Sequence, residues 1–145
     1  MDNAEKSLGP RACHCSATRQ LARHVTKLYE RHLAPAQITG TQFSILAFLQ
    51  HAGKMNTGEL ADALTMDRTT VTRALKPLLS DKLIASAAVP GERRLLSFSV
   101  SPSGLRKLKE AEPLWLTAQA EYETQIGLER ARHLRQNFLA MTSRS

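Results

Sequence analysis

Hydroxyl and cationic side chains share one face of a predicted helix that begins after Asp67. On a wheel of 100° per residue, this polar face carries Thr69, Thr72, Arg73, Lys76 and Ser80. The opposite face is apolar and consists of Val71, Ala74, Leu75, Leu78 and Leu79. Arginine reads guanine edges in the major groove, and threonine or serine hydroxyls reach bases and phosphates. Because a merely solvated face more often mixes charges of both signs, this pattern favours a DNA-reading helix, which we predict to continue to Leu83.

A strand, a turn and a second strand are predicted after this helix. Residues 84–89 are small or β-branched, Pro90-Gly91 is a turn pair, and the next strand alternates apolar residues with serines. Its apolar positions are Leu96, Phe98 and Val100. The tip of this wing holds Arg93 and Arg94, and a guanidinium there can enter a narrow minor groove. A solvated tip is the alternative, which we prefer for Arg93 alone but not for Arg94.

A short helix before the polar helix completes a helix-turn-helix. Asn56 is a suitable N-cap, and Glu59 three residues later completes a capping box. Leu60, Ala61 and Leu64 form its buried stripe. We therefore predict a mainly α fold, a winged helix-turn-helix with a small two-stranded antiparallel wing.

The motifs of this region resemble those of the MarR family of bacterial transcription regulators. The likeness lies in residues 57–64, 67–75, 91–94 and 101–104, and with the flanking helices it covers nearly the whole chain. Glu92 stands where the family usually has an aspartate that holds a wing arginine, so we expect Glu92 to support the wing. The resemblance and the helical wheel together predict that DNA is contacted by Arg68, Thr69, Thr70, Thr72, Arg73, Lys76, Arg93 and Arg94.

Length and charge limit the class of protein. A chain of 145 residues with 42% apolar and 23% charged residues is typical of one globular domain. Its net charge of +7 favours a polyanionic partner such as double-stranded DNA. Residues 54–94, however, contain seven Lys or Arg against five Asp or Glu, a net of only +2, so composition alone fits a membrane-surface or ribosome-associated protein equally well. With no 18-residue apolar run and no signal-peptide core in residues 1–6, we expect a cytoplasmic protein without a membrane partner.

Amphipathic helices are predicted on both sides of the winged region. Residues 15–33 have an apolar stripe, and a capping box of Thr39 and Gln42 begins the next helix. Ser101 followed by proline is a strong start for a long helix, which Gly127 separates from a last one.

The whole chain, residues 1–145, is predicted to be one domain with two functional regions. The DNA-binding region covers about residues 38–101, and a helical dimerisation region covers about residues 10–36 and 102–145. The flanking helices present more apolar surface than one reading head covers, which predicts a homodimer. The MarR resemblance implies the same dimer, with interlocked terminal helices, two reading heads and a signal that changes their spacing. It also implies repression, relieved by a small aromatic effector or by oxidation.

Two cysteines flank a histidine at residues 13–15. A cytosolic chain gains little from a structural disulfide, and positions two residues apart are poorly placed to form one. The cluster lacks a second ligand pair at zinc-finger spacing, so we predict no metal site. Packing at a dimer interface and peroxide sensing are the two interpretations that stay open for Cys13 and Cys15.

The MarR branch that senses organic hydroperoxides offers a register for these residues. Aligned on the start of the second helix, its reactive cysteine falls on Cys15, and a tyrosine that hydrogen-bonds that sulfur from the partner subunit falls on Tyr29. Two other tyrosine positions of that branch hold Arg19 and Gly40 here. A guanidinium at Arg19, one turn after Cys15 at the start of a helix, would favour a reactive thiolate. Cys13 is the candidate resolving thiol.

Two other classes of function are alternatives to DNA binding. A cysteine hydrolase needs a base beside the thiol, but His14 points the wrong way next to Cys15, and the sequence has no Gly-rich phosphate loop or paired carboxylates. We therefore predict neither an enzyme nor a cofactor. The alternative that we retain is a winged-helix protein-interaction module, which would show an apolar or acidic recognition face and no salt-sensitive DNA binding.

Overall fold

The computed structural model describes residues 9–143, a mainly helical chain with a small antiparallel sheet. Residues 1–6, in which no signal-peptide core was found, and the last two residues of the predicted dimerisation region lie outside this range. The helices are α1 (His14–Leu33), α2 (Gly40–Ala52), α3 (Thr57–Leu64), α4 (Arg68–Ser80), α5 (Pro102–Ile126) and α6 (Leu128–Thr142). The strands are β1 (Met55–Asn56), β2 (Ile84–Val89) and β3 (Glu92–Val100), and short 3₁₀ turns occupy Pro10–Ala12 and Ala34–Ala36.

Polar caps begin the helices where the sequence predicts them. The Thr39 hydroxyl accepts the amide of Gln42 at 3.1 Å, and the Gln42 side chain accepts the amide of Thr39 at 3.0 Å. Asn56 and Glu59 make the same reciprocal pair, at 2.8 and 3.0 Å. Each pair satisfies two amides that a helix start leaves without partners. Both predicted capping boxes are therefore confirmed.

The end of α4 differs from the prediction. The helix stops at Ser80 rather than Leu83, and Lys82 adopts a left-handed backbone with φ of 58°. The amides of Lys82 and Leu83 donate to the carbonyls of Leu79 and Leu78, at 3.1 and 2.9 Å. This is the hydrogen-bond pattern of a Schellman cap, which usually has glycine at the left-handed position. A lysine there gives no sequence signal for the end of the helix.

The wing contains a strand beyond the two predicted. The sheet has the order β1-β3-β2, and in β1 Met55 pairs with Phe98. A two-residue strand is too short to show alternation, so the sequence does not reveal it. Between β2 and β3 the register runs regularly to Ala88 opposite Leu96, and then Val89 pairs with Glu92. The register shift leaves residues 93–95 without a pairing partner on β2.

The core lies in the reading head, which we define as residues 38–101, and extends to the end of α1 and under the first half of α5. Its most deeply buried large side chains are Leu33, Ile45, Leu46, Leu49, Leu60, Leu78 and Val71. Two residues predicted on apolar faces are instead exposed, Leu79 by 37% and Leu96 by 46%. Leu79 lies at the edge of the apolar arc of α4, and Leu96 lies beyond the part of β3 that β1 covers. Both predictions were wrong because periodicity does not indicate how far the covering elements extend.

Hydrogen bonds join the start of α5 to the residues that follow the recognition helix. Ser101 caps α5, its hydroxyl donates to the carbonyl of Lys82 at 2.6 Å, and its amide donates to the carbonyl of Leu83 at 3.0 Å. A Cβ at Gly104 would lie 2.1 Å from that Leu83 carbonyl oxygen. Only glycine permits this approach of α5 to the base of the wing.

Candidate nucleic-acid interface

The carboxylate of Asp67 fixes the start of α4. Its Oδ1 accepts the amide of Thr70 at 2.7 Å. This backbone hydrogen bond, together with one from the Thr70 side chain, holds the pKa of Asp67 below its usual value. The positive end of the helix dipole also stabilises this carboxylate in its ionised form. The first turn of the recognition helix is thereby held at a defined position.

The structure brings the predicted DNA-contacting residues of α4 onto one exposed surface. Arg68, Thr69, Thr70, Thr72, Arg73 and Lys76 are all exposed. Val71, Leu75 and Leu78 are buried on the opposite side and hold the helix against the core. The described side chains of α4 include no acid, so its surface is positive and rich in hydroxyls.

Gly58, in the first turn of α3, is a contact of the recognition helix that the sequence prediction missed. A Cβ at Gly58 would lie 3.0 Å from Nη2 of Arg68. The guanidinium of Arg68 therefore lies against the backbone at the start of α3.

The wing arginines lie just after the turn rather than at its tip. Pro90 and Gly91 form the two-residue connection, in which Gly91 has φ of 83°. Glu92, Arg93 and Arg94 follow at the start of β3 and are all exposed. No ion pair joins Glu92 to Arg94 within residues 9–143.

The two cysteines lie at the exposed start of α1. Cys13 is the N-cap, and its Sγ accepts the amide of Ser16 at 3.3 Å, while Cys15 lies in the first turn. Both are exposed free thiols, and Arg19 is exposed one turn later. Tyr29 lies 14 residues after Cys15 on the same helix, about 21 Å away at 1.5 Å per residue. Within one chain these two residues are therefore not in contact.

Tyr29 lies between α1 and α5. Its hydroxyl donates to the side-chain oxygen of Gln119, and the ring is half-buried. Burial raises the pKa of Tyr29, and the nearby Glu123 raises it further. The phenol is consequently neutral at physiological pH.

Tyr29 lines two cavities. The first, of about 460 Å³, lies between α1, α5 and α6 and has mostly apolar walls that include Leu21, Val25, Ala131, Phe138 and Leu139. The second, of about 300 Å³, lies between α1, α2, α5 and the turn from α3 to α4. We call the first the apolar groove and the second the head cavity.

Aromatic rings line the head cavity. Phe43 of α2 and Trp115 of α5 stack with centroids 5.9 Å apart and planes 20° apart. Glu30 also lines the cavity, and its Oε1 accepts the amide of Gly40 at 2.9 Å. Leu64 and Met66 contribute the wall on the reading-head side.

No metal site or membrane span was found in the part of the chain that the structure describes. No three His, Cys, Asp or Glu residues among 9–143 are close enough together to hold a metal ion. None of the described helices combines the length and apolarity that crossing a bilayer requires.

The sequence is similar to known DNA-binding regulators. The sequence model of the MarR family matches residues 38–96. The multiple antibiotic resistance protein MarR of Salmonella typhimurium is 32% identical over 78 residues, which are 54% of this chain and 54% of that protein. The HTH-type transcriptional repressor NicR of Pseudomonas putida is 28% identical over 103 residues, 66% of this chain and 65% of that protein. The chain thus matches about half to two thirds of the length of these relatives.

A solved structure extends the similarity over most of the chain. The M. tuberculosis transcriptional regulator MosR, crystallised in complex with DNA, is 34% identical and superposes with a TM-score of 0.77. The alignment covers 87% of this chain and 92% of the MosR chain.

Proposed function

Because the chain belongs to the MarR family, we propose that it is a homodimeric transcriptional repressor that binds double-stranded DNA through α4 and the wing. The observation that carries the proposal is the surface of α4, which exposes hydroxyls and cations without a carboxylate and is fixed by the Asp67 cap. An interaction module would instead be expected to show an apolar or acidic surface there. The relative NicR is named a repressor, which supports repression rather than activation.

The contacts divide between the two grooves. Thr69, Thr72, Arg73 and Lys76 lie in the major groove, where arginine reads bases and lysine neutralises phosphate. Arg94 enters the minor groove, and Glu92 is proposed to support it there, although no ion pair joins the two within residues 9–143 of the unbound chain. Because residues 93–95 are not paired with β2, the wing backbone can adapt at this position.

Binding to the promoter of its own gene tests this function directly. Fluorescence anisotropy with that duplex should be repeated at several salt concentrations. The logarithm of the association constant should fall linearly with the logarithm of the salt concentration, because phosphate contacts release counterions. A scrambled duplex of equal length should bind more weakly. Absence of any salt-sensitive binding would favour the interaction-module alternative.

The second subunit is proposed to cover the apolar groove. Leu128, Phe138, Leu139 and Met141 of α6 are exposed by 42 to 73%. Only Ala131 is buried among the described residues of this helix. Apolar surface of this extent, continuous with the groove between α1 and α5, typically marks a protein interface.

Oxidation of Cys15 is proposed as one signal that releases DNA. A hydroperoxide would oxidise the exposed thiol of Cys15 to a sulfenic acid and would itself be reduced to an alcohol, and a small thiol or a cysteine of the partner subunit would then displace water to form a disulfide. Cys13 caps α1 through its sulfur, so a disulfide there would remove the cap and disturb the start of the helix. The proposed role of Tyr29 requires the partner's copy.

A small aromatic effector is the second proposed signal, and the head cavity is its candidate site. The cavity lies between α1 and the turn that carries Met66 into the recognition helix. A ligand there contacts both the helical region and the reading head, and so can change their relative position.

A further inference from the structure

The wall of the head cavity carries a negative charge. Glu30 is its only charged lining residue, and no Lys, Arg or His is present among the described residues that line it. One carboxylate oxygen accepts the amide of Gly40, and the other has no hydrogen-bond partner within residues 9–143. An anionic ligand would meet this charge without compensation, whereas a cation would be paired.

Three aromatic rings complete the wall. Tyr29, Phe43 and Trp115 all line the cavity, and the last two are stacked. The face of an aromatic ring attracts a cation, most strongly for tryptophan, and groups of such rings bind quaternary ammonium ions. Because Tyr29 is a neutral phenol, its ring adds to the apolar wall without adding charge.

We propose that the head cavity binds an organic cation, an ammonium or quaternary ammonium group attached to a flat apolar body. The ammonium lies against Glu30 and the aromatic faces, and the apolar body lies toward Leu64 and Met66. The volume of about 300 Å³ suits a ligand of one ring with a short substituent. The inference rests on the proposed function, in which this cavity holds the effector, and it specifies the chemistry of that effector.

The single tryptophan of the chain reports binding without any DNA. Trp115 lines the cavity, so its fluorescence should change as the purified full-length protein is titrated with benzyltrimethylammonium. Phenylacetate and benzyl alcohol serve as the anionic and neutral probes of similar size. We expect the cation to bind at least about tenfold more tightly than either, a difference of about 1.4 kcal/mol.

Two substitutions locate the charge that is responsible. Glu30→Gln keeps an oxygen that can accept the Gly40 amide but removes the charge, so it should weaken binding of the cation by about tenfold and leave the neutral probe unchanged. Glu112→Gln is the matched control, since this exposed carboxylate adjoins Trp115 on a neighbouring groove and does not line the cavity. Phe43→Leu, which keeps apolar volume but removes a ring, should also weaken the cation selectively.

The result that would overturn the proposal is tighter binding of phenylacetate than of the cation, or equal cation affinity in wild type and Glu30→Gln. A loss caused by Glu112→Gln instead would assign the cation to the neighbouring groove and equally contradict it. Because these titrations contain no DNA, failure of the protein to bind its promoter would overturn the proposed function without changing their outcome.

Discussion

Asp67 is a carboxylate that lies beside a surface proposed to meet phosphates. Its role is explained by the amide of Thr70, which it accepts at 2.7 Å, so its charge is directed at the helix start. Arg73 also lowers its pKa, as a smaller contribution than the Thr70 hydrogen bonds. The residue therefore stabilises the position of α4 rather than competing with DNA.

Acid should weaken this cap. Because the pKa of Asp67 is lowered in the folded protein, its contribution is present above the ordinary value of 3.8 and is lost as the pH falls through the folded-state pKa. Asparagine also caps helices but does not titrate. Thermal melts from pH 6 to pH 3 should show a smaller acid-induced decrease in Tm for Asp67→Asn than for wild type. Identical decreases would mean that folding does not lower the pKa of Asp67.

Cys15 tests the redox proposal at a single sulfur. A stoichiometric organic hydroperoxide should lower the affinity of the wild-type protein for its promoter and leave Cys15→Ser unchanged, with thiol mass measured in parallel. Cys13→Ser should still be oxidised at Cys15 but should stop at sulfenic acid or mixed disulfides. Equal loss of affinity in wild type and Cys15→Ser, or unchanged affinity with Cys15 oxidised, would contradict the redox proposal. Packing at a dimer interface would then be the remaining interpretation of both cysteines.

At the level of elements, the junction between α4 and α5 links the DNA-reading surface to the helical region. Ser101 bonds to the carbonyls of Lys82 and Leu83, and Gly104 allows α5 to approach the second of these. Hydrogen bonds rather than a flexible linker therefore join the start of α5 to the residues that follow the recognition helix.

Gly104→Ala should damage this junction. Its Cβ would meet the Leu83 carbonyl at 2.1 Å, so the backbone must shift, and we expect a loss of about 1 to 3 kcal/mol in the free energy of unfolding. Chemical denaturation measures this loss, and Lys109→Ala, an exposed site on the same helix, is the control. A Gly104→Ala protein as stable as the control would show that α5 does not require this approach.

Local signals in the sequence predicted these elements well. Capping pairs such as Asn56 with Glu59 are short-range patterns, and they gave the starts of α2 and α3 correctly. The misses depended on contacts with distant residues. The left-handed Lys82, the two residues of β1 and the exposure of Leu79 are decided by tertiary packing, which leaves no periodic signal in the chain.

The candidate site was predicted from residue types and the helical wheel. The polar face of α4 is exposed because Val71, Leu75 and Leu78 are buried and fix its rotation, and its contact with DNA stays a prediction. Gly58 and the head cavity were not predicted, since both depend on side chains from several elements that meet only in the folded chain.

For the whole molecule, the apolar side chains exposed on α6 are the observation on which the proposed second subunit rests. Phe138→Asp places a charge on the apolar groove, so it should convert the proposed dimer to an unstable monomer or unfold it. Gln136→Asp, on the other side of α6, should leave the assembly unchanged. Multi-angle light scattering of the dilute protein measures the mass, and a stable wild-type monomer of 16.1 kDa would contradict the dimer.

DNA recognition by α4 and the wing is the central claim, and affinities of substituted proteins for the promoter duplex test it most directly. Arg73→Ala should cost about 1 to 3 kcal/mol and relax the preference over a scrambled duplex, while Lys76→Ala should weaken both duplexes and lower the salt slope by about one. Arg94→Ala should weaken binding because it removes the proposed contact in the minor groove. Lys109→Ala, away from this surface, should bind like wild type. If Arg73→Ala and Arg94→Ala both bound the promoter like wild type, the proposed docking of α4 and the wing on DNA would be wrong.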